Sequence, residues 1–96
     1  MRLPKSLNVF GQLVKVEFAE LDPSIGGLSY AKGLIQINSQ LERRMVKHVL
    51  LHEFFHSVIS RLALDQNISL DTEEMLVDNL SKCLLENFDV KLKPKK

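Results

Sequence analysis

His52-Glu53-Phe54-Phe55-His56 places two imidazoles four residues apart, with a carboxylate beside the first. On a helix, positions i and i+4 share a face, so both rings can point at one metal ion. Neutral imidazole is a good ligand for Zn²⁺, and Glu53 can reach a water on that ion from the side. The pattern is hard to meet by accident. With 3 His and 7 Glu in 96 residues, a chance match to H-E-x-x-H is expected roughly 0.007 times. Two side chains do not complete such a site, because a catalytic zinc normally has three protein ligands and keeps its fourth position for water.

The third ligand is expected from Asp71-Thr72-Glu73-Glu74-Met75-Leu76-Val77-Asp78. Projected on a helix, Glu73 falls on the stripe of Val77 and Leu80, whereas Glu74 shares a flank with Asp78, one turn further on. The second pairing favours Glu74 as ligand and Asp78 as acceptor of a ligand histidine's N–H, which fixes its tautomer. Glu73 is the alternative ligand. Glu74 also has a structural explanation, since with Asp71 as N-cap it holds the N3 position of a capping box. His48 precedes His52 by one turn, but each such step drifts by ~40° around the helix, so it reads as a rim residue beside the site. Tyr30 reads as a half-buried strand residue and Cys83 as a core residue. Gly26-Gly27 lacks the spacing and the Lys-Ser/Thr ending of a phosphate-binding loop.

The elements that hold these residues divide into a strand-rich first half and a helical second half. Leu7, Val9 and Phe10 form a short apolar run, followed by Gly11 as a turn or a bulge. Val14, Val16 and Phe18 then alternate with Lys15 and Glu17, the pattern of a strand with one buried face. Asp22-Pro23-Ser24 and Gly26-Gly27 mark a loop. Leu28-Ser29-Tyr30 and Leu34 to Asn38 flank Ala31-Lys32-Gly33, a three-residue hairpin loop with glycine at the left-handed position. Three or four short strands are expected in one antiparallel sheet. From Leu41 to about Leu64 apolar residues recur at helical spacing without Gly or Pro, after Ser39 as N-cap and Glu42 as its capping-box partner. Leu50 and Phe54 fall beside Arg43, Lys47 and Arg61 on this helix, and either pack under the strands or form a homodimer surface. A second helix is expected from near Asp71 to about Phe88, with the stripe Val77, Leu80, Leu84 and Phe88. Residues 91–96 form a short basic tail, expected to be frayed and solvated. The reading is a single α+β domain over residues 1–96, with a small sheet followed by two helices.

His52-Glu53-x-x-His56, followed by Glu74-Met75-Leu76-Val77-Asp78-Asn79, resembles the gluzincin metallopeptidases, which carry H-E-x-x-H on one helix and E-x-x-x-D on the next. The resemblance implies a zincin-like fold and zinc held by His52, His56 and Glu74. It further implies Glu53 as general base and Asp78 as the residue orienting a ligand histidine. The short length and the preceding strands look most like minigluzincins and small ImmA/IrrE-like or phage metallopeptidase domains. Larger gluzincins add a His or Tyr from a further C-terminal subdomain near the oxyanion, and no counterpart carries over to this chain. Minigluzincins are known for latency, which implies that this domain is poorly active alone.

Composition narrows the setting. Hydrophobic residues at 45% and charged residues at 26% are ordinary for a globular domain. Thirteen Lys and Arg against twelve Asp and Glu leave a net charge of +1, without the concentrated basic surface that nucleic acid or an acidic membrane calls for. One cysteine forms no internal disulfide, and no apolar run approaches the ~20 residues of a membrane-spanning helix. The opening Met1-Arg2-Leu3-Pro4-Lys5 lacks a signal-peptide core, so a cytoplasmic location is expected. The Asn67-Ile68-Ser69 sequon is then a coincidence. The expected activity is zinc-dependent hydrolysis of a peptide or protein substrate. Its rival is a zinc-stabilised interaction module that cleaves nothing. Glu53, for which structural zinc has no use, favours catalysis.

Overall fold

The computed structural model describes residues 3–62 and 67–93. Four strands, β1 (Ser6–Val9), β2 (Gln12–Ala19), β3 (Gly27–Tyr30) and β4 (Leu34–Asn38), precede two helices, α1 (Arg43–Arg61) and α2 (Leu70–Asn87). The chain is an α+β fold, with the strands and helices in the expected order.

Local chemistry sets both hairpins. Phe10 and Gly11 have φ of 51° and 80°, the paired positive values that a tight two-residue β-turn requires. Gly11 is therefore a turn residue, and β1 pairs antiparallel with β2. Gly33, at φ 100°, closes the β3–β4 hairpin, its N–H donating to the Tyr30 carbonyl at 3.0 Å. Val14 and Val16 are buried on one face of β2 while Lys15 is exposed on the other. Phe18, next on the inward-facing series, is half exposed.

The sheet is mixed and not, as expected, antiparallel throughout. Its order is β1-β2-β4-β3, and β2 pairs parallel with β4. Residues 20–26 carry the chain past the position next to β2, so β3 lies at the sheet edge. The tight β3–β4 turn then returns β4 into the gap, running in the same direction as β2. Pairing of this kind depends on which strand is skipped, and the alternation within each strand does not encode that.

α1 covers one face of the sheet. Val46 and Leu50 join Val9, Val14, Val16, Ile35 and Ile37 in the core, with Val49, Phe54 and Val58 packed against it. Leu50 is thus taken up by the core under the strands, and Phe54 lines an apolar groove with Leu7, Leu51, Val90 and Leu92. The segment just after α2 lies back on α1, where Lys47 pairs with Asp89 at 3.1 Å, and residues 91–93 beyond it, the start of the basic tail, are exposed and outside regular structure. Residues 94–96 of that tail, and the expected helix end at Leu64, fall outside the described residues.

Both helix starts differ from expectation. Ser39 does not cap α1: its N–H donates to the Ala19 carbonyl, and the Asn38 side chain takes the N–H of Gln40. Those bonds close a turn, and the helix begins after Glu42, which makes no side-chain cap. α2 is capped by Ser69, whose Oγ accepts the Thr72 N–H at 3.1 Å, and not by Asp71. This cap is worth ~1 kcal/mol, and it moves Glu74 out of the capping box. α2 rests on α1 and buries only Val77 and Ser81. No helix among the described residues is long and apolar enough to cross a membrane.

Candidate metal centre

Nineteen residues of uninterrupted helix hold His52, Glu53 and His56 in fixed relation. Their turn of α1 faces α2 on one side and the edge strand β3 on the other. The His52 and His56 rings meet edge to face, 4.9 Å between centroids. Glu74 approaches both from α2: its Oε1 lies 3.1 Å from His56 Nε2 and its Oε2 3.5 Å from His52 Nε2. One ligand atom from each of the three residues lies within 4.8 Å of the others. Two imidazole nitrogens and a carboxylate oxygen converging in this way form a donor set suited to Zn²⁺.

Glu73 fills a place that the sequence reading gave to Asp78. Its Oε2 accepts a hydrogen bond from His56 Nδ1 at 2.6 Å, between side chains only 11% and 13% exposed. An ionised carboxylate only accepts, so Nδ1 is the donor of this pair, and the other ring nitrogen, Nε2, faces Glu74. Burial of Val77 turns the stripe of Glu73 onto α1, which explains why this acid lies under the histidine. Asp78 instead pairs with Lys82, one turn along its own helix, at 3.0 Å. It has no hydrogen bond to either histidine among the described residues, and Lys82 holds its carboxyl below the usual carboxylate range.

Glu53 is 8% exposed. Burial, with Glu74 nearby, pushes its carboxyl up to about 7 against the pull of His56. Burial and the neighbouring His56 hold His52 below the usual imidazole range, which favours the neutral, ligating form.

Gly27, Glu53 and Glu74 line two adjoining hollows, of about 310 and 410 Å³, which make the two halves of one cleft. Leu28, Ser29, His56 and Glu73 border one half; Ser24, His48, His52 and Asp78 border the other. His48 is therefore on the rim, as its spacing suggests. Gly27 permits the close approach of β3 to α1, because a Cβ there would lie 2.9 Å from Val49 Cγ1 and 3.1 Å from Glu53 Cγ. One residue pair further on, the Ser29 and Ser57 hydroxyls hydrogen-bond at 2.9 Å and tie the edge strand to the helix beside His56.

Tyr30 is not brought to the site: its hydroxyl donates to Gln36, which in turn donates to Glu17. Cys83 is exposed, not in the core. Sequence reasoning missed Glu73 as partner of His56 and Gly27 as the point of close approach. An acid on an apolar stripe and a glycine pair opening a strand were the available signals. The chain matches no family model, no curated protein and no solved structure.

Proposed function

We propose that this chain is a small zinc-dependent peptidase, with His52, His56 and Glu74 as metal ligands and Glu53 as general base. The observation that carries the proposal is the convergence of three ligand atoms from two helices, with a buried carboxylate beside them in a cleft bordered by a sheet edge. When bound there, zinc supplies Lewis acidity toward the scissile carbonyl and lowers the pKa of water toward neutrality. Glu53 takes the proton from the attacking water and passes it to the leaving amine. Glu73 holds the His56 ring with its Nδ1 proton turned away from the metal position. β3 is an edge strand, so an extended peptide can pair with its free backbone groups and cross the site in line with Glu53. The ligands and base agree with the gluzincin resemblance, while the histidine-orienting acid moves from Asp78 to Glu73. A cytoplasmic, reducing setting suits the free thiol of Cys83.

A second reading is a zinc-stabilised interaction module without turnover. It is favoured by one observation: α2 buries only Val77 and Ser81, so a metal bridging α1 and α2 would add substantially to its attachment. Digestion of a mixed peptide library by zinc-loaded protein separates the two. The peptidase reading expects cleavage by wild type and none by Glu53→Gln at equal zinc content. Cleavage undiminished in Glu53→Gln, or absent in both, rejects it.

A further inference from the structure

The cleft half beside His48 and His52 has as its opposite wall Ser24 to Gly27, the end of the β2–β3 connection and the first residue of β3. The shape of that segment depends on a side chain outside the cleft lining, Asn38 at the end of β4. Asn38 is 3% exposed. Its Nδ2 donates to the carbonyls of Ile25 at 2.8 Å, Asp22 at 3.2 Å and Leu21 at 3.4 Å. Its Oδ1 accepts the Gln40 N–H at 3.1 Å, and its own N–H donates to Gly26 at 2.8 Å. One residue thus gathers four carbonyls between positions 21 and 26. The rest of the segment is held by an exposed turn, in which Asp22 Oδ1 accepts from Ser24 N and Oγ and the Ile25 N–H donates to the Asp22 carbonyl.

The chemistry requires an amide. Two N–H donors serve three carbonyls while the oxygen accepts from the following turn. Aspartate has the same shape but offers only acceptors, which would face three carbonyl oxygens. Alanine would leave those carbonyls without their buried donor. Resting on the peptidase reading, we infer that Asn38 is a positioning residue: it fixes the Ser24–Gly27 wall and so governs peptide binding in the half of the cleft beside His48. None of its hydrogen bonds goes to the proposed ligands or to Glu53, so its effect should fall on binding in that half and spare the metal.

Zinc-loaded wild type, Asn38→Ala and Asn38→Asp would be compared on a peptide that wild type cleaves and on the same peptide shortened from either end. The expected result is a KM raised about fivefold by Asn38→Ala, the factor that loss of one net hydrogen bond gives, and raised further by Asn38→Asp. Values of kcat and zinc affinity should stay within about threefold. The rise should disappear for peptides shortened at one particular end. An unchanged KM, a parallel loss of zinc affinity, or equal losses for all peptide lengths overturns the inference while leaving the peptidase reading intact. Absence of cleavage by wild type overturns both. If the Asn38 variants fail to fold, Asp22→Ala removes the exposed turn bonds alone. It should then raise KM by roughly twofold to fivefold with the same end dependence, and no end-dependent change there overturns the inference.

Discussion

Replacing Glu73 should weaken zinc binding although Glu73 is not among the three proposed ligands. The 2.6 Å bond from His56 Nδ1 to Glu73 is short and charge-assisted, and both side chains are largely shielded from solvent. Partners of this kind typically contribute about 10–100-fold in metal affinity, or about 1.4–2.8 kcal/mol. Glu73→Gln keeps an acceptor of the same shape but removes the charge, so it should lie near the lower figure, and Glu73→Ala near the upper. Glu74→Ala removes one of the three proposed ligands and should lose more than either. Asp78→Ala should change affinity by less than about threefold, below the range for histidine partners, because its carboxylate is engaged with Lys82. Competition against a chromophoric zinc chelator measures all four variants, with folding verified in excess zinc. Wild-type affinity in Glu73→Ala with a large loss in Asp78→Ala would refute the assignment. Loss of binding in Glu73→Ala with binding intact in Glu74→Ala would refute the ligand set as well.

In the metal-free protein, Glu53 should make stability depend on pH. Its carboxyl lies at about 7 when folded against an ordinary 4.5, so its contribution is fully present below about 4.5 and is lost as pH rises through 7, on the order of 3 kcal/mol in all. His52, held below its ordinary range, acts in the opposite sense, so the informative quantity is the difference between wild type and Glu53→Gln. With chelator present, the melting temperature of Glu53→Gln relative to wild type should climb between pH 4.5 and 7; a difference that stays flat contradicts the buried-carboxylate account. Gly27→Ala would place a Cβ 3.0 Å from the Gln36 carbonyl oxygen and against Val49 and Glu53. Backbone oxygen cannot turn aside, so urea denaturation should show a loss of about 1–3 kcal/mol, and unchanged stability would deny the close approach.

Features set by near neighbours in the chain were legible before folding. The Gly33 hairpin, the inward Val14 and Val16, and the shared face of His52 and His56 all follow from local geometry, and all stand in the structure. The approach of Glu74 to both rings was readable for the same reason, through its spacing on a helix. What escaped depends on partners far along the chain. The parallel pairing of β2 with β4 is decided by where β3 is placed, and no residue within β2 reports it. Asn38 reads as the last residue of a strand until the carbonyls of Leu21, Asp22 and Ile25 are brought to it. Ser39 and Ser69 are equally good caps by type. Only Ser69 acts as one, because the Leu41 N–H that Ser39 could accept goes to the Asn38 carbonyl and α1 starts only at Arg43. Glu73, and not Asp78, is the acid bonded to a histidine because α2 meets α1 through the Val77 stripe, a rotation that spacing alone left open.

Zinc K-edge X-ray absorption of the zinc-loaded protein tests the central claim most directly, since it reads the ligand atoms themselves. The arrangement of His52, His56 and Glu74 predicts one zinc per chain with nitrogen and oxygen neighbours at about 2.0–2.2 Å, imidazole multiple scattering, and loss of part of that signal in His56→Ala. A protein that retains no zinc, or a spectrum dominated by sulfur at about 2.3 Å, would contradict the account.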